Sequence, residues 1–167
     1  NRPDLLTRVV QIDDNATPSG SALAVYTLLI AASLSDHPEY TQIASKCLAN
    51  AQFKINSYPA GFGYWLQALD FFQGPVQQVA VVWPEDQTIA GKVKRLLNCA
   101  YHPRQISAAG QAGSAAISPL FTARPAINNQ PTAYICQHFT CQRPLTDLEA
   151  IQTAMVQFGA RIQAIPD

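Results

Sequence analysis

The densest group of reactive side chains in this 167-residue chain is Cys136, Gln137, His138, Phe139, Thr140, Cys141, two thiols and an imidazole in one short stretch. It follows a run, Thr132 to Cys136, that reads as a strand, and it precedes a helix start. Loops at the carboxyl ends of parallel strands are where open α/β sheets hold ligands. Three chemistries fit these residue types: structural thiols, a redox pair, or a zinc site completed by Cys99 or His102. The spacer of four residues is not the two-residue spacer of thioredoxin-like pairs, and the ordinary expectation for thiols in such a chain is burial without reactivity.

A second group is acidic. Asp13 and Asp14 are adjacent in a polar loop that enters an apolar helix, and Asp70 lies in a later helix, where it either pairs with a neighbouring element or lines the same pocket as Asp14. Acid–base work on a sugar needs two carboxylates several ångströms apart on different elements, which adjacent residues alone do not supply. An Asx-turn or capping role is the plainer reading for one of the pair. Ser19 can cap the helix that follows; it has no Gly-x-Ser-x-Gly context, so it is not read as a hydrolase nucleophile. The glycines at Gly110 and Gly113 lack the surroundings of a phosphate-binding loop. No cofactor is expected and no metal ligand set is assigned.

The totals narrow the classes. Eleven basic and eleven acidic residues cancel, and only Lys92, Lys94 and Arg95 cluster, so neither nucleic acid nor a membrane surface is an expected partner. The longest apolar stretch, Ala22 to Leu34, is too short and too polar for a membrane span. Hydrophobic residues make up 48% and charged residues 13%, the latter low for a soluble domain and a hint of a neighbour that covers part of the surface. Four cysteines are too few for a disulfide scaffold, which fits a reducing cytoplasm. The first residue, Asn1, is not Met, so the chain reads as processed or truncated.

The elements that must position these groups turn on Gln77 to Trp83, an apolar, β-branched run entered through Gly74-Pro75 and left through Pro84, which reads as a buried strand. Before it come helices over about 20–34, from Asp36-His37-Pro38-Glu39 to Tyr58, and over about 62–72, with Trp65, Leu66, Leu69 and Phe72 inward. The first is apolar on nearly every side, the mark of an enclosed helix. Asp4 to Ile12 is a candidate extended segment. After the pivot come a helix over 85–98, a strand over 104–108, an irregular stretch over 110–129, a strand over 132–136, and a last helix opened by Thr146-Asp147-Leu148-Glu149, with Leu148, Ile151, Met155 and Phe158 buried. The expected fold is α/β: helical hairpins over residues 1–75, then a small, mostly parallel β-sheet with flanking helices over 76–167.

Three ordered motifs carry a resemblance. Asp14 to Gly20, Tyr58-Pro59 with Leu66 to Pro75, and Thr132 to Cys136 with Phe139 to Asp147 resemble the C-terminal part of the YyaL-like thioredoxin-domain proteins, which include the spermatogenesis-associated thioredoxin-like protein of animals. The loop departs from that family's usual Asp-Gly-x-x-Pro-Ser-Gly-Asn-Ser in having Asn15, Ser21 and Ala22. The resemblance implies a longer parent with an upstream thioredoxin-like domain and an α/α toroid similar to six-hairpin glycosidases and N-acylglucosamine 2-epimerases. Residues 20–72 would then be the toroid's last hairpins, and Val76 onward an appended α/β segment. It implies as partners the upstream domains and a carbohydrate-like ligand, with Ser19 and Ser21 as ligand-binding positions. A second copy of the chain is a further partner where apolar helix faces stay open. Two other readings stand beside it: a sugar-processing segment with Asp14 and Asp70 as pocket carboxylates, and a thiol or zinc site at Cys136 and Cys141.

Overall fold

The computed structural model describes residues 10–35, 37–84, 88–98, 102–113, 118–137 and 140–163, the side chains of 88 and 158–163 excepted. Residues 4–9 of the first candidate segment, the Asp36 cap, Cys99, His138 and the side chain of Phe158 lie outside the described residues. The chain divides into two compact units, one of residues up to Ala32 with His37–Gly74, the other of residues 33–35 with the chain from Pro75 onward. Helical hairpins come first and a small sheet flanked by helices follows. No helix among the described residues is long and apolar enough to cross a membrane.

The first unit is built from α1 (Gly20–Leu34), α2 (Pro38–Ser57), a short 3-10 turn (Pro59–Gly61) and α3 (Gly63–Gln73). Each helix buries one stripe of mostly small or branched residues: Ala22, Val25 and Leu29 on α1; Ala44, Leu48, Ala51 and Ile55 on α2; Trp65, Ala68 and Phe71 on α3. Spacings of three and four residues put each set on one face. The α1 ring of Tyr26 meets the α3 rings of Tyr64 and Phe71 edge to face, with centroids 5.7 and 5.6 Å apart. One expectation needs correction. Phe71, not Phe72, is the inward aromatic, and Leu66 is exposed, because α3 turns Trp65 and Ala68 to the core. At α2 the residue before the helix is His37, whose side chain caps nothing; its Nδ1 instead meets Glu39 Oε1 at 2.7 Å.

The second unit holds β1 (Gln77–Trp83), α4 (Thr88–Leu97), β2 (Gln105–Gln111), a 3-10 turn (Pro119–Phe121), β3 (Thr132–Gln137), β4 (Thr140–Cys141) and α5 (Leu148–Gln163). The strand order is β2-β1-β3-β4. Among the described strands only β1 and β2 are parallel; β3 runs antiparallel to both β1 and β4, so the sheet is mixed rather than mostly parallel. The reason lies in the connections. A helix, α4, lies between β1 and its parallel partner, as parallel pairing requires, whereas β3 and β4, two residues apart in sequence, pair antiparallel.

Side chains alternate across β1. Val79, Val81 and Trp83 join Ala133 and Ile135 of β3 in a core closed by Val93 and Leu97 of α4 and Ile151 and Met155 of α5. The opposite face carries Ala80, Val82, Ile106, Thr132, Tyr134 and Cys136, all buried. Residues 118–125 lie over this face, since Tyr134 Oη donates to the Pro125 carbonyl at 2.7 Å. The chain returns to β3 through Asn128 and Asn129, both at positive φ (51° and 55°), between the bridged residues Ile127 and Gln130. Two consecutive left-handed residues form a tight primed turn, for which asparagine is suited. At α5 the cap is Asp147, whose Oδ2 accepts from the Ala150 N–H at 2.8 Å, one residue later than the Thr146 expected from the sequence.

Ile151 is 1% exposed and Val156 on the same helix 50%. Ile151→Ala should lower stability by about 2–5 kcal/mol, and Val156→Ala by less than about 0.5 kcal/mol, as read by denaturant unfolding.

Candidate functional site

The acidic loop is resolved into a structural clamp. Asp14 Oδ1 accepts from the Ser19 N–H at 2.8 Å and Oδ2 from the Tyr64 N–H at 2.7 Å, in the first turn of α3. Its own N–H donates to the Gly61 carbonyl at 2.8 Å. One carboxylate thus ties the entry of α1 to the start of α3, where N–H groups without intrahelical partners favour negative charge. Ser19, only 4% exposed, caps α1 through Oγ, which accepts from the Ala22 N–H at 3.3 Å. Ser21 Oγ donates to the Gln11 carbonyl at 3.4 Å, and Trp65 Nε1 donates to the Ile12 carbonyl at 2.8 Å. Tyr58 lies so close over Gly61 that a Cβ there would come within 2.6 Å of its ring.

Asp13 is exposed, and Asp70 is exposed near the far end of α3, its backbone carbonyl accepting from Gly74 N–H. Six residues of helix, roughly 9 Å of rise, separate Asp70 from the turn that Asp14 caps. The structure therefore engages Asp14 in backbone hydrogen bonds and sets Asp70 two turns away. Between α2 and α3 lies a groove of about 240 Å³, floored by Leu48, Ile55, Leu69 and Phe72 and rimmed by Gln52 and Asn56.

The two cysteines do come together. Cys136 of β3 and Cys141 of β4 are directly opposite in the antiparallel register and are joined as a disulfide. Because β3 is antiparallel to β1, this hairpin lies beside Gln77 and Gln78 at the start of β1, the end opposite the carboxyl ends of the parallel pair where it was expected. Cys136 is 2% exposed, and Cys141 sits exposed on the edge strand. The half-buried guanidinium of Arg124 faces both sulfurs, with Nη2 at 3.3 Å from Cys136 Sγ and 3.5 Å from Cys141 Sγ, while Nη1 donates to the Leu120 carbonyl. Sequence reading missed Arg124. The one signal was a lone cation in an otherwise uncharged irregular stretch.

Burial pulls the Arg124 pKa below the usual arginine value, opposed by the nearby charge of Tyr134. Burial likewise pushes the Tyr134 phenol above the usual tyrosine value, and the Arg124 charge partly offsets it. His102, the other conceivable zinc ligand, precedes β2; Gln105 N–H donates to its carbonyl at 3.1 Å. Among the described residues both of its ring nitrogens are buried without a hydrogen-bond partner, as are Gln77 Oε1 and Gln105 Oε1 on the paired first residues of β1 and β2. Those glutamines alternate to the face of α4 and α5, the opposite face from Cys136. Among the described residues no three His, Cys, Asp or Glu side chains form a metal-holding group.

Two outcomes follow from these contacts. Asp14→Asn places an amide N–H against a backbone N–H and should cost about 1.5–3 kcal/mol of stability, measured by denaturant unfolding. For Tyr134, a raised folded pKa favours the neutral phenol, so its stabilising share is whole below the unfolded value of about 10 and is lost as pH rises through the folded value. Absorbance titration near 295 nm should show a tyrosine ionising above the usual tyrosine value, and Tyr134→Phe should remove that step.

No protein-family model matches the chain, and no solved structure matches it. It is 24% identical over 160 residues to an uncharacterised protein of Caenorhabditis elegans, B0495.5, in an alignment covering 93% of this chain and 21% of that protein. The chain spans about a fifth of the length of the curated relative it matches.

Proposed function

We propose that this chain is a structural and ligand-presenting portion of a longer thioredoxin-domain-containing protein of the cytoplasm, whose redox- or carbohydrate-related activity resides in the whole parent. On this reading α1, α2 and α3 are the closing hairpins of a helical toroid, and the β1–α5 segment is an appended module. The observation that carries it is the apolar surface left open on the helices: Phe53 is 81% exposed, Leu23 and Ile43 each 47%, Phe72 39% and Leu66 38%. Helix α1 is apolar nearly all round, yet only one stripe of it is fully buried. Helices of that composition belong in an enclosed setting. The length of the worm relative agrees with a larger parent.

The Asp14 contacts support a structural role for the loop in preference to the sugar-processing reading, since both carboxylate oxygens already accept backbone N–H bonds. The test is differential. In this chain alone, Phe53→Ser and Leu23→Ser should change stability by about 0.5 kcal/mol or less. In the complete parent each should destabilise the helical portion by about 1.5–3 kcal/mol, because the side chain is then buried. Equal small effects in both settings would remove the basis for the proposal.

A further inference from the structure

We infer that the Cys136–Cys141 disulfide is a thiol–disulfide exchange site that takes two electrons from a small or protein-borne dithiol, with Arg124 receiving the leaving thiolate. This goes beyond the structural reading above and stands on separate observations. The first is asymmetry of access: Cys141 is exposed on the two-residue edge strand β4, whereas Cys136 is 2% exposed beneath it. An incoming thiolate therefore meets the Cys141 sulfur. The second is the cation: Nη2 of Arg124 lies 3.3 Å from Cys136 Sγ and 3.5 Å from Cys141 Sγ, and among the described residues it forms no ion pair with a carboxylate. A fixed positive charge beside a sulfur stabilises its thiolate, and a stabilised thiolate leaves faster.

The third observation is that backbone hydrogen bonds hold the chain beside the disulfide as well. Gln142 N–H donates to the Ile135 carbonyl at 2.8 Å, and Ala133 and Leu145 exchange two backbone hydrogen bonds at 2.8 and 3.0 Å. The chain after β4 is thus held against β3 by backbone hydrogen bonds in addition to the disulfide. A disulfide that closes so short a loop also restricts the unfolded chain least. Arg124 is held in place independently, by its bond to the Leu120 carbonyl and by the left-handed turn at Ala123 (φ 56°).

The exchange balances as two displacements. A thiolate of the donor forms a bond to Cys141 Sγ while the Cys136–Cys141 bond breaks, and the electron pair leaves on Cys136 Sγ as a thiolate facing Arg124. The donor's second thiol loses its proton to solvent, attacks the donor sulfur of the mixed disulfide and closes the donor's own disulfide. Cys141 departs as a thiolate and takes a proton from water. The donor dithiol is oxidised and the protein disulfide reduced, by two electrons.

The experiment treats the folded chain, oxidised with glutathione disulfide, with dithiothreitol under native conditions, and counts alkylated cysteines by mass over time. Reduction should proceed without unfolding, and Cys141 should be alkylated before Cys136. Arg124→Gln should slow reduction about tenfold and Arg124→Lys less. In Cys141→Ser the Cys136 thiolate, followed by absorbance at 240 nm, should titrate at higher pH once Arg124 is replaced by Gln. The inference is overturned if reduction occurs only at the rate of global unfolding, or if Arg124→Gln leaves both rate and titration unchanged. It is equally overturned if glutathione disulfide does not form the bond in the folded chain.

Discussion

Strand β1 is the constraint on which the second unit depends. Its edges are both taken, by β2 in parallel and β3 in antiparallel register, and its faces are both buried. Every side chain that matters in this unit is placed by counting from it. Val79, Val81 and Trp83 point to α4 and α5, so Ile135 and Ala133 do too. The alternate residues point to the segment 118–125, and Cys136, opposite Gln78, goes with them. A one-residue slip of β3 would turn Cys136 toward the α4 and α5 core and away from Arg124. The apolar core therefore fixes which sulfur is buried and which cation it meets.

The first unit depends on a polar contact instead. Helix starts carry N–H groups with no partner in their own helix, and Asp14 serves two such segments at once. The helices themselves interlock through small residues and three aromatic rings, a close but narrow interface. That interface leaves Ile43 and Phe53 of α2 and Leu66 and Phe72 of α3 exposed among polar neighbours. Asp14 and Ser19 are engaged in holding the fold, while several large apolar side chains of the unit lie at its surface.

Elements with a strong local signature were legible in the sequence. The bounds of β1 and α1 follow from composition and punctuation alone, and Ser19 is the cap that its position announced. What was not legible depends on distant pairing. The direction of β3 is set by its partner and connection, not by the residues Thr132 to Cys136, so a parallel sheet was the natural reading. Strand β4 is two residues long, too short to leave a periodicity, and without it the opposition of Cys136 and Cys141 could not be read. The inward face of α3 was misjudged by one position, since Phe71 and Phe72 are equal as apolar residues and only the Trp65 bond to Ile12 and the contact with Tyr26 select between them. The role of Arg124 belongs to the same class: nothing in an irregular stretch tells which strand it will cover.

If α1, α2 and α3 are the closing hairpins of a larger protein, as proposed, their exposed apolar side chains are covered there. The most direct measurement is side-chain footprinting by hydroxyl radicals, comparing Phe53, Tyr58 and Phe72 in this chain and in the complete parent. Phe53 and Phe72 should label strongly in the chain alone and be several-fold protected in the parent. Equal labelling in both would mean that these faces are true outer surface, and the chain would then have to be understood as a self-contained module.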